Sequence, residues 1–311
     1  MKYILIGLQI ILSLFLPLLA IGIIRQIKAK LQNRIGPPII QPYYNLIKLF
    51  KKNQILSHDS TWVFPLSSII NLSIVLILSF IIPWLPFNKS VFSGDIFLLI
   101  YLLALMRFFT IIGSIDTGSP FSSFSTSREV SLAVLLEPAI ILALLALAVA
   151  FKTSDLFQIF NYAYSLDLIK IPVLILSASS LFLASIVEFS RCPIDDPTTH
   201  LELTMIHEAM IIENSGLNLA IVEYTYSLKL LLFYGLIAQC LTHCILIILN
   251  LNILLQSILC LLIIFSLLIL TSLIESFSVK LSWHKVPDFI AYALTFSFLA
   301  VFAAIINGVS L

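Results

Sequence analysis

The chain has 311 residues, 60% of them hydrophobic and 11% charged, with a mean hydropathy of +1.10 and a net charge of +1. A soluble fold of this length cannot bury so much apolar surface, so a soluble enzyme is excluded. The near-zero charge argues against a nucleic-acid partner, and the lack of short alternating segments argues against a β-barrel.

The composition predicts an all-α polytopic transmembrane protein, a single integral membrane domain over 1–311, with about eight spans and one short interfacial amphipathic helix. The first apolar run, 3–24, imitates a signal peptide. It is long enough to span and lacks a small-x-small cleavage site, so it reads as a mature helix. After it, Gly36-Pro37-Pro38 forces a turn. Pro42 then opens a helix with Tyr43, Ile47 and Phe50 on one face and Lys48, Lys51 and Lys52 around the other. Such a helix lies flat on a membrane, either as a basic anchor or as the lid of a cavity beneath a docked subunit.

Spans are expected at 63–82 and 96–115, then a loop from Asp116 and a fourth span at 130–150, begun by Ser127-Arg128-Glu129. Glu137 lies two turns inside that span, about 12 Å deep at 1.5 Å per residue. A buried carboxylate beside Pro138 suits a proton-carrying site, because desolvation favours the protonated form. A structural pair with Arg107 or Arg128 is the other reading.

A fifth span is expected at 171–189. Residues 188–223 then carry seven carboxylates, Glu188, Asp195, Asp196, Glu202, Glu208, Glu213 and Glu223, and one arginine, Arg191. Carboxylates near lipid mark an ion route or a partner surface. Asp195-Asp196-Pro197 reads as the start of a helix on which His200, Thr204, His207 and Ile211 form one stripe and Glu202, Ile206, Ala209 and Glu213 another. Too apolar to be simply solvated, this helix points to a lined polar cavity. His207-Glu208 begins like a zincin motif, but the residue four positions after His207 is Ile211, which rejects zinc hydrolysis.

The last spans fall at 227–249, 252–274 and 287–307. Between the final two, Glu275 and Lys280 either pair structurally or end the acidic route. Cys192, Cys240, Cys244 and Cys260 are too scattered for a metal framework and read as packing residues. The connections 1–2, 3–4, 5–6 and 7–8 hold eleven Lys and Arg, against Lys2, Lys89, Lys152 and Lys170 opposite. The motif-bearing loops are therefore expected in the cytoplasm and both termini outside.

These motifs, in this order, resemble the membrane subunit shared by respiratory complex I and the energy-converting NiFe-hydrogenases. Arg34-x-Gly36-Pro37 with Gln41 and Lys48-Leu49 resembles that family's first cytoplasmic loop. Glu188-x-x-Arg191-x-Pro193-x-Asp195, Glu202-Leu203 and Glu213-x-Ser215-Gly216 resemble its acidic third loop. The run from Pro193 to Glu208, with its Thr199-His200 pair, is similar to the hydrogenase branch, of the formate hydrogenlyase subunit 4 and hydrogenase-4 component C type. So are Glu275, Lys280 and Val286-Pro287. Departures are Cys192, at an aliphatic position, and Asn214, where complex I relatives carry Tyr.

The resemblance implies a subunit without redox centres of its own, in the cell inner (cytoplasmic) membrane. It anchors peripheral partners, namely hydrogenase large- and small-subunit-like and iron–sulfur proteins. NiFe and iron–sulfur clusters, or quinone, then belong in or near those partners. Its carboxylates couple electron transfer to proton or sodium movement beside antiporter-like membrane subunits. The candidate route is Asp116, Glu129, Glu137, Glu188, Asp195, Asp196, Glu202, Glu208, Glu213 and Glu275. The candidate cavity or partner residues are Arg34, Gly36, Pro37, Gln41, Lys48, Arg191, His200, His207 and Lys280.

Three other readings compete. A free-standing ion transporter predicts internal symmetry and a midplane site, whereas these acids crowd one face. A passive anchor uses the acids only to hold a basic partner. A quinone-linked complex without hydrogenase activity keeps the family and changes the electron donor.

Overall fold

Long apolar runs leave every backbone N–H and C=O to be satisfied within the segment, and the helix is the structure that does so. The computed structural model describes residues 2–83, 94–161, 168–195, 205–248 and 253–309. Its helices are α1 (Lys2–Leu31), α2 (Gln41–Phe50), α3 (Val63–Ile81), α4 (Ile96–Asp116), α5 (Pro120–Phe151), α6 (Leu156–Asn161), α7 (Ile171–Glu188), α8 (His207–Ile211), α9 (Gly216–Ile248), α10 (Ile253–Phe277) and α11 (Val286–Val309). Among the described residues there is no strand, and eight helices are long and apolar enough to cross a membrane: α1, α3, α4, α5, α7, α9, α10 and α11.

The bundle is organised around α9, whose spanning stretch is 83% buried against 22–56% for the other seven. It packs on α1, α3, α7 and α10, while α5 packs on α4, α7 and α11. The amphipathic helix forms as expected at α2, which lies across α1 and α9. The Tyr43 hydroxyl donates to the Phe15 carbonyl. Tyr44, Ile47, Lys48 and Phe50 remain exposed.

Two helices begin about ten residues before the expected spans. Helix α5 opens with Pro120 at its first turn. It then runs through a serine-rich stretch whose hydroxyls donate to carbonyls of the same helix, including Ser125 to Phe121 (2.9 Å) and Thr126 to Ser122 (2.7 Å). These back-bonds let a polar stretch stay helical. Helix α9 opens at Gly216, which has a φ of +51° and whose missing Cβ would stand 2.7 Å from the Asn53 carbonyl oxygen. The adjoining Ser215 hydroxyl accepts from Ile55 N–H (2.8 Å) and donates to the Ile55 carbonyl (2.6 Å). The segment after α2 is thereby fastened to the start of α9, joining the two motif-bearing connections.

Next to Lys229 the helices close in an apolar layer. Leu232, Phe233 and Leu236 close on Leu78, Leu144 and Leu181 around a void of about 20 Å³. Lined by hydrocarbon side chains apart from Lys229, so small a void is dry.

Candidate ion-coupling site

Four helices contribute one charge each to a cluster of which three members are buried. Arg107, the only basic residue of α4, donates to Glu188 at the end of α7 (2.5 Å) and to Glu137 of α5. Lys229 of α9 donates to the second Glu188 oxygen. The Glu188 carboxylate is 5% exposed with both oxygens engaged, so its burial is compensated twice. Two cations against two carboxylates leave the cluster neutral.

Glu137 departs from expectation. It does pair with Arg107, but its side chain is 44% exposed on the outer wall of the bundle, beside exposed Val134. Because α5 starts at Pro120, Glu137 lies about 25 Å along that helix, near its middle, and not two turns in.

Beside the cluster is a cavity of about 100 Å³ lined by Glu129, Arg107, Glu188 and Lys229, with Asn71 and Thr110. The Asn71 amide donates to the Thr110 hydroxyl at 2.9 Å. Such a polar space holds a few waters.

A second cavity, of about 270 Å³, lies between α1, α2, α9 and the segment following α7. Arg25, Arg191, Asp195, Glu208, Glu223 and Glu275 bring charge to it. Arg191 donates to Glu275 (2.9 Å), and Lys28 stands 3.3 Å from the other Glu275 oxygen. Burial opposes the Arg191 charge, but Tyr226 and Glu275 more than offset it and hold the guanidinium above its usual range. The protein packed around Glu208 pushes its carboxyl up, Asp195 adds to this, and Arg25 and Arg191 pull the other way.

Glu275 and Lys280 do not pair with one another, contrary to one expectation. Glu275 takes Arg191 and Lys28 because the segment after α7 is laid against the end of α10, where Leu281 N–H donates to the Pro193 carbonyl (2.8 Å). Lys280 instead donates to Asp195 (2.9 Å). The other Asp195 oxygen accepts from Ile206 N–H (2.8 Å), which fixes the chain just ahead of α8.

Helix α8 is shorter than the expected carboxylate-bearing helix. Met205 and Ile206 are not helical, so the stripe running through Ile206 does not form there. Asp196, Pro197, His200, Glu202 and Thr204 lie outside the described residues.

The structure thus brings Glu129, Glu137 and Glu188 to one cluster, and Arg191, Asp195, His207, Glu208 and Glu275 to the second cavity or its wall. Asp116 lies elsewhere: its carboxylate accepts from Thr61 N–H (2.9 Å), the Thr61 hydroxyl (2.8 Å) and Phe64 N–H (3.1 Å), capping α3. Glu213 lines neither cavity. Arg34, Gly36 and Pro37 form the turn before α2, Gln41 bonds Asn45 (3.2 Å) within it, and exposed Lys48 follows. Lys229 and Tyr226 escaped sequence reasoning. The signal for Lys229 was its isolation: it is the only Lys or Arg between Gly216 and Ile248. Among the described residues no group of three or more His, Cys, Asp or Glu converges as a metal site.

The family model described as NADH dehydrogenase matches residues 4–307. Hydrogenase-4 component C of Escherichia coli (strain K12) is 35% identical over 223 residues, covering 71% of this chain and 69% of that protein. Formate hydrogenlyase subunit 4 of the same organism is 32% identical over 214 residues, 68% of each chain. The fold is similar to that in the structure of the membrane-bound sulfane sulfur reductase, an archaeal respiratory membrane complex, with a TM-score of 0.75, 19% identity, and 96% of this chain and 97% of that one covered. The chain belongs to the NADH dehydrogenase family, as a complex I subunit 1-like membrane protein.

Proposed function

We propose that this chain is the membrane-anchoring and ion-coupling subunit of an energy-converting hydrogenase-like or complex I-like complex. It acts as one integral membrane unit over 1–311 in the cell inner membrane. The observation that carries this is the buried set of Arg107, Glu188 and Lys229, joined at the outer wall by Glu137, among mostly apolar spanning helices. A purely structural role seldom justifies three buried charges, since each is costly to remove from water. Clustered ionisable groups titrate collectively, so a charge change near the second cavity biases the whole set.

Peripheral hydrogenase-like and iron–sulfur subunits dock over α2 and the acidic segment, on the side richer in Lys and Arg, taken as the cytoplasm. Redox chemistry takes place in or near those partners, at NiFe and iron–sulfur clusters or at quinone. Antiporter-like membrane subunits take the transported ion onward. The two relatives, by name subunits of hydrogenase systems, support this assignment.

The test is the intact complex in sealed vesicles, with ion uptake and electron transfer measured on the same preparation. Glu188→Gln is expected to keep assembly and to lower the ions moved per electron. A wild-type ratio in that variant leaves only the anchoring role.

A further inference from the structure

The two cavities share one wall, built by Phe189, His207, Ile211, Val222 and Tyr226. Only His207 and Tyr226 bring polar side-chain atoms to it. The Tyr226 hydroxyl is engaged, donating to the Phe189 carbonyl at 2.6 Å. The His207 Nε2 atom is enclosed by protein and has no hydrogen-bond partner among the described residues. Its ring is held in place, stacked on Tyr226 with centroids 5.3 Å apart and planes 28° apart. The backbone ahead of it is pinned by Asp195 and, through Asp195, by Lys280.

We infer that His207 hands protons, and not metal cations, through this wall, an inference that rests on the carboxylate-route reading above. A hard cation needs several oxygen ligands. The wall offers it none that is free, because the Phe189 carbonyl is taken and the other side chains are hydrocarbon or aromatic. Of the two inner-cavity carboxylates, Glu188 has both oxygens held by Arg107 and Lys229, which leaves Glu129 alone, too few oxygen ligands for a cation. An imidazole needs no such cage. It accepts a proton at one ring nitrogen and releases one from the other.

The charged and titratable groups around His207 come from several elements: Lys229 and Tyr226 from α9, Glu188 from α7, Asp195 and Arg191 from the segment after it, Glu208 beside it on α8, and Glu129 and Arg128 from α5, which packs on α8. Burial and then Lys229 hold the ring down to about 4, against the pull of Asp195 and Glu188. It therefore rests neutral, with one nitrogen ready to accept. In a transfer, water or the Glu208 carboxyl in the outer cavity gives a proton to the vacant ring nitrogen. The opposite nitrogen then gives its proton to inner-cavity water and on to Glu129, which lines the same cavity. One proton is moved and no electron is involved; the ring is left neutral as the opposite tautomer, and a turn of the ring again presents an N–H to the inner cavity and a vacant nitrogen to the outer one.

The experiment uses the whole complex in sealed vesicles with wild type, His207→Phe, His207→Ala and Glu188→Gln. His207→Phe keeps a ring against Tyr226 and is expected to assemble, with proton uptake per electron lowered about tenfold or more. His207→Ala is expected to show the same loss and to recover when imidazole is added, because the outer cavity has room for it. A wild-type ratio in His207→Phe with a lowered ratio in Glu188→Gln overturns the proton handover alone. Wild-type ratios in both overturn the carboxylate route as well. A loss in both His207 variants that imidazole does not restore overturns the carrier role, as does turnover-driven sodium uptake unaffected by His207→Phe.

Discussion

Arg107 and Glu188 meet at 2.5 Å, with side chains 13% and 5% exposed, and Lys229 closes on the same carboxylate from a third helix. Removing one member of such a set leaves an uncompensated buried charge, which costs about 3–5 kcal/mol. Lys229→Met is expected to destabilise the solubilised complex by roughly that amount. The double variant Glu188→Gln with Lys229→Met recovers part of it, for a coupling of about 1–3 kcal/mol in a double-mutant cycle. Thermal unfolding of the four preparations checks this, and strictly additive losses count against the pairing.

Glu137→Gln is expected to assemble normally, since its carboxylate is half exposed and Arg107 keeps Glu188. The amide preserves size and a hydrogen-bond acceptor while removing the titratable charge. Ion uptake per electron in vesicles is expected to fall about tenfold, with electron transfer to a soluble acceptor retained. An unchanged ratio removes Glu137 from the route.

The turn before α2 is tested by Gly36→Val against Lys52→Ala. A Cβ on Gly36 would stand 2.7 Å from the Ala29 Cβ of α1, so the turn has to lift away from that helix. Lys52 is exposed, and its truncation leaves the packing alone. Native gels of membranes are expected to show loss of the assembled complex for Gly36→Val and not for Lys52→Ala. Equal, mild effects contradict the placement.

His207 also sets a pH dependence of stability. Its folded value of about 4 lies below the unfolded value near 6.5, chiefly through burial and then Lys229. The unfolded chain therefore binds the proton first as pH falls, and stability is lost between about 6.5 and 4, up to about 3 kcal/mol. His207→Phe lacks this term. The difference in unfolding temperature between wild type and variant is expected to shift in the variant's favour as pH is lowered from 7.5 to 4.5. A constant difference contradicts the burial of His207.

The spans were legible because uninterrupted apolar runs have one solution in a bilayer. Their starts were not: α5 extends back to Pro120 through hydroxyls that bond their own helix, and α9 extends back to Gly216 through a backbone contact with Asn53. Glu188, Arg191 and Asp195 were readable as one charged segment, which the fold divides between the first cluster and the second cavity. Their partners were not, because Arg107, Lys229 and Glu275 reach them from separations of 81, 41 and 84 residues. Asp116 looked like part of the acidic set, yet its neighbours in space are the unsatisfied N–H groups at the start of α3.

The dry packing of Leu232, Phe233 and Leu236 beyond Lys229 determines where an electrical potential falls. Cavities that admit water on one side of that packing would carry the potential of their own bath, with the apolar section as the insulating layer of a capacitor. A charge arriving at Glu188 has then crossed little of the membrane voltage and does little of the roughly 2.3 kcal/mol of work per 100 mV. On the proposed route, protonation at Glu208 or Glu129 is accordingly expected to be insensitive to voltage.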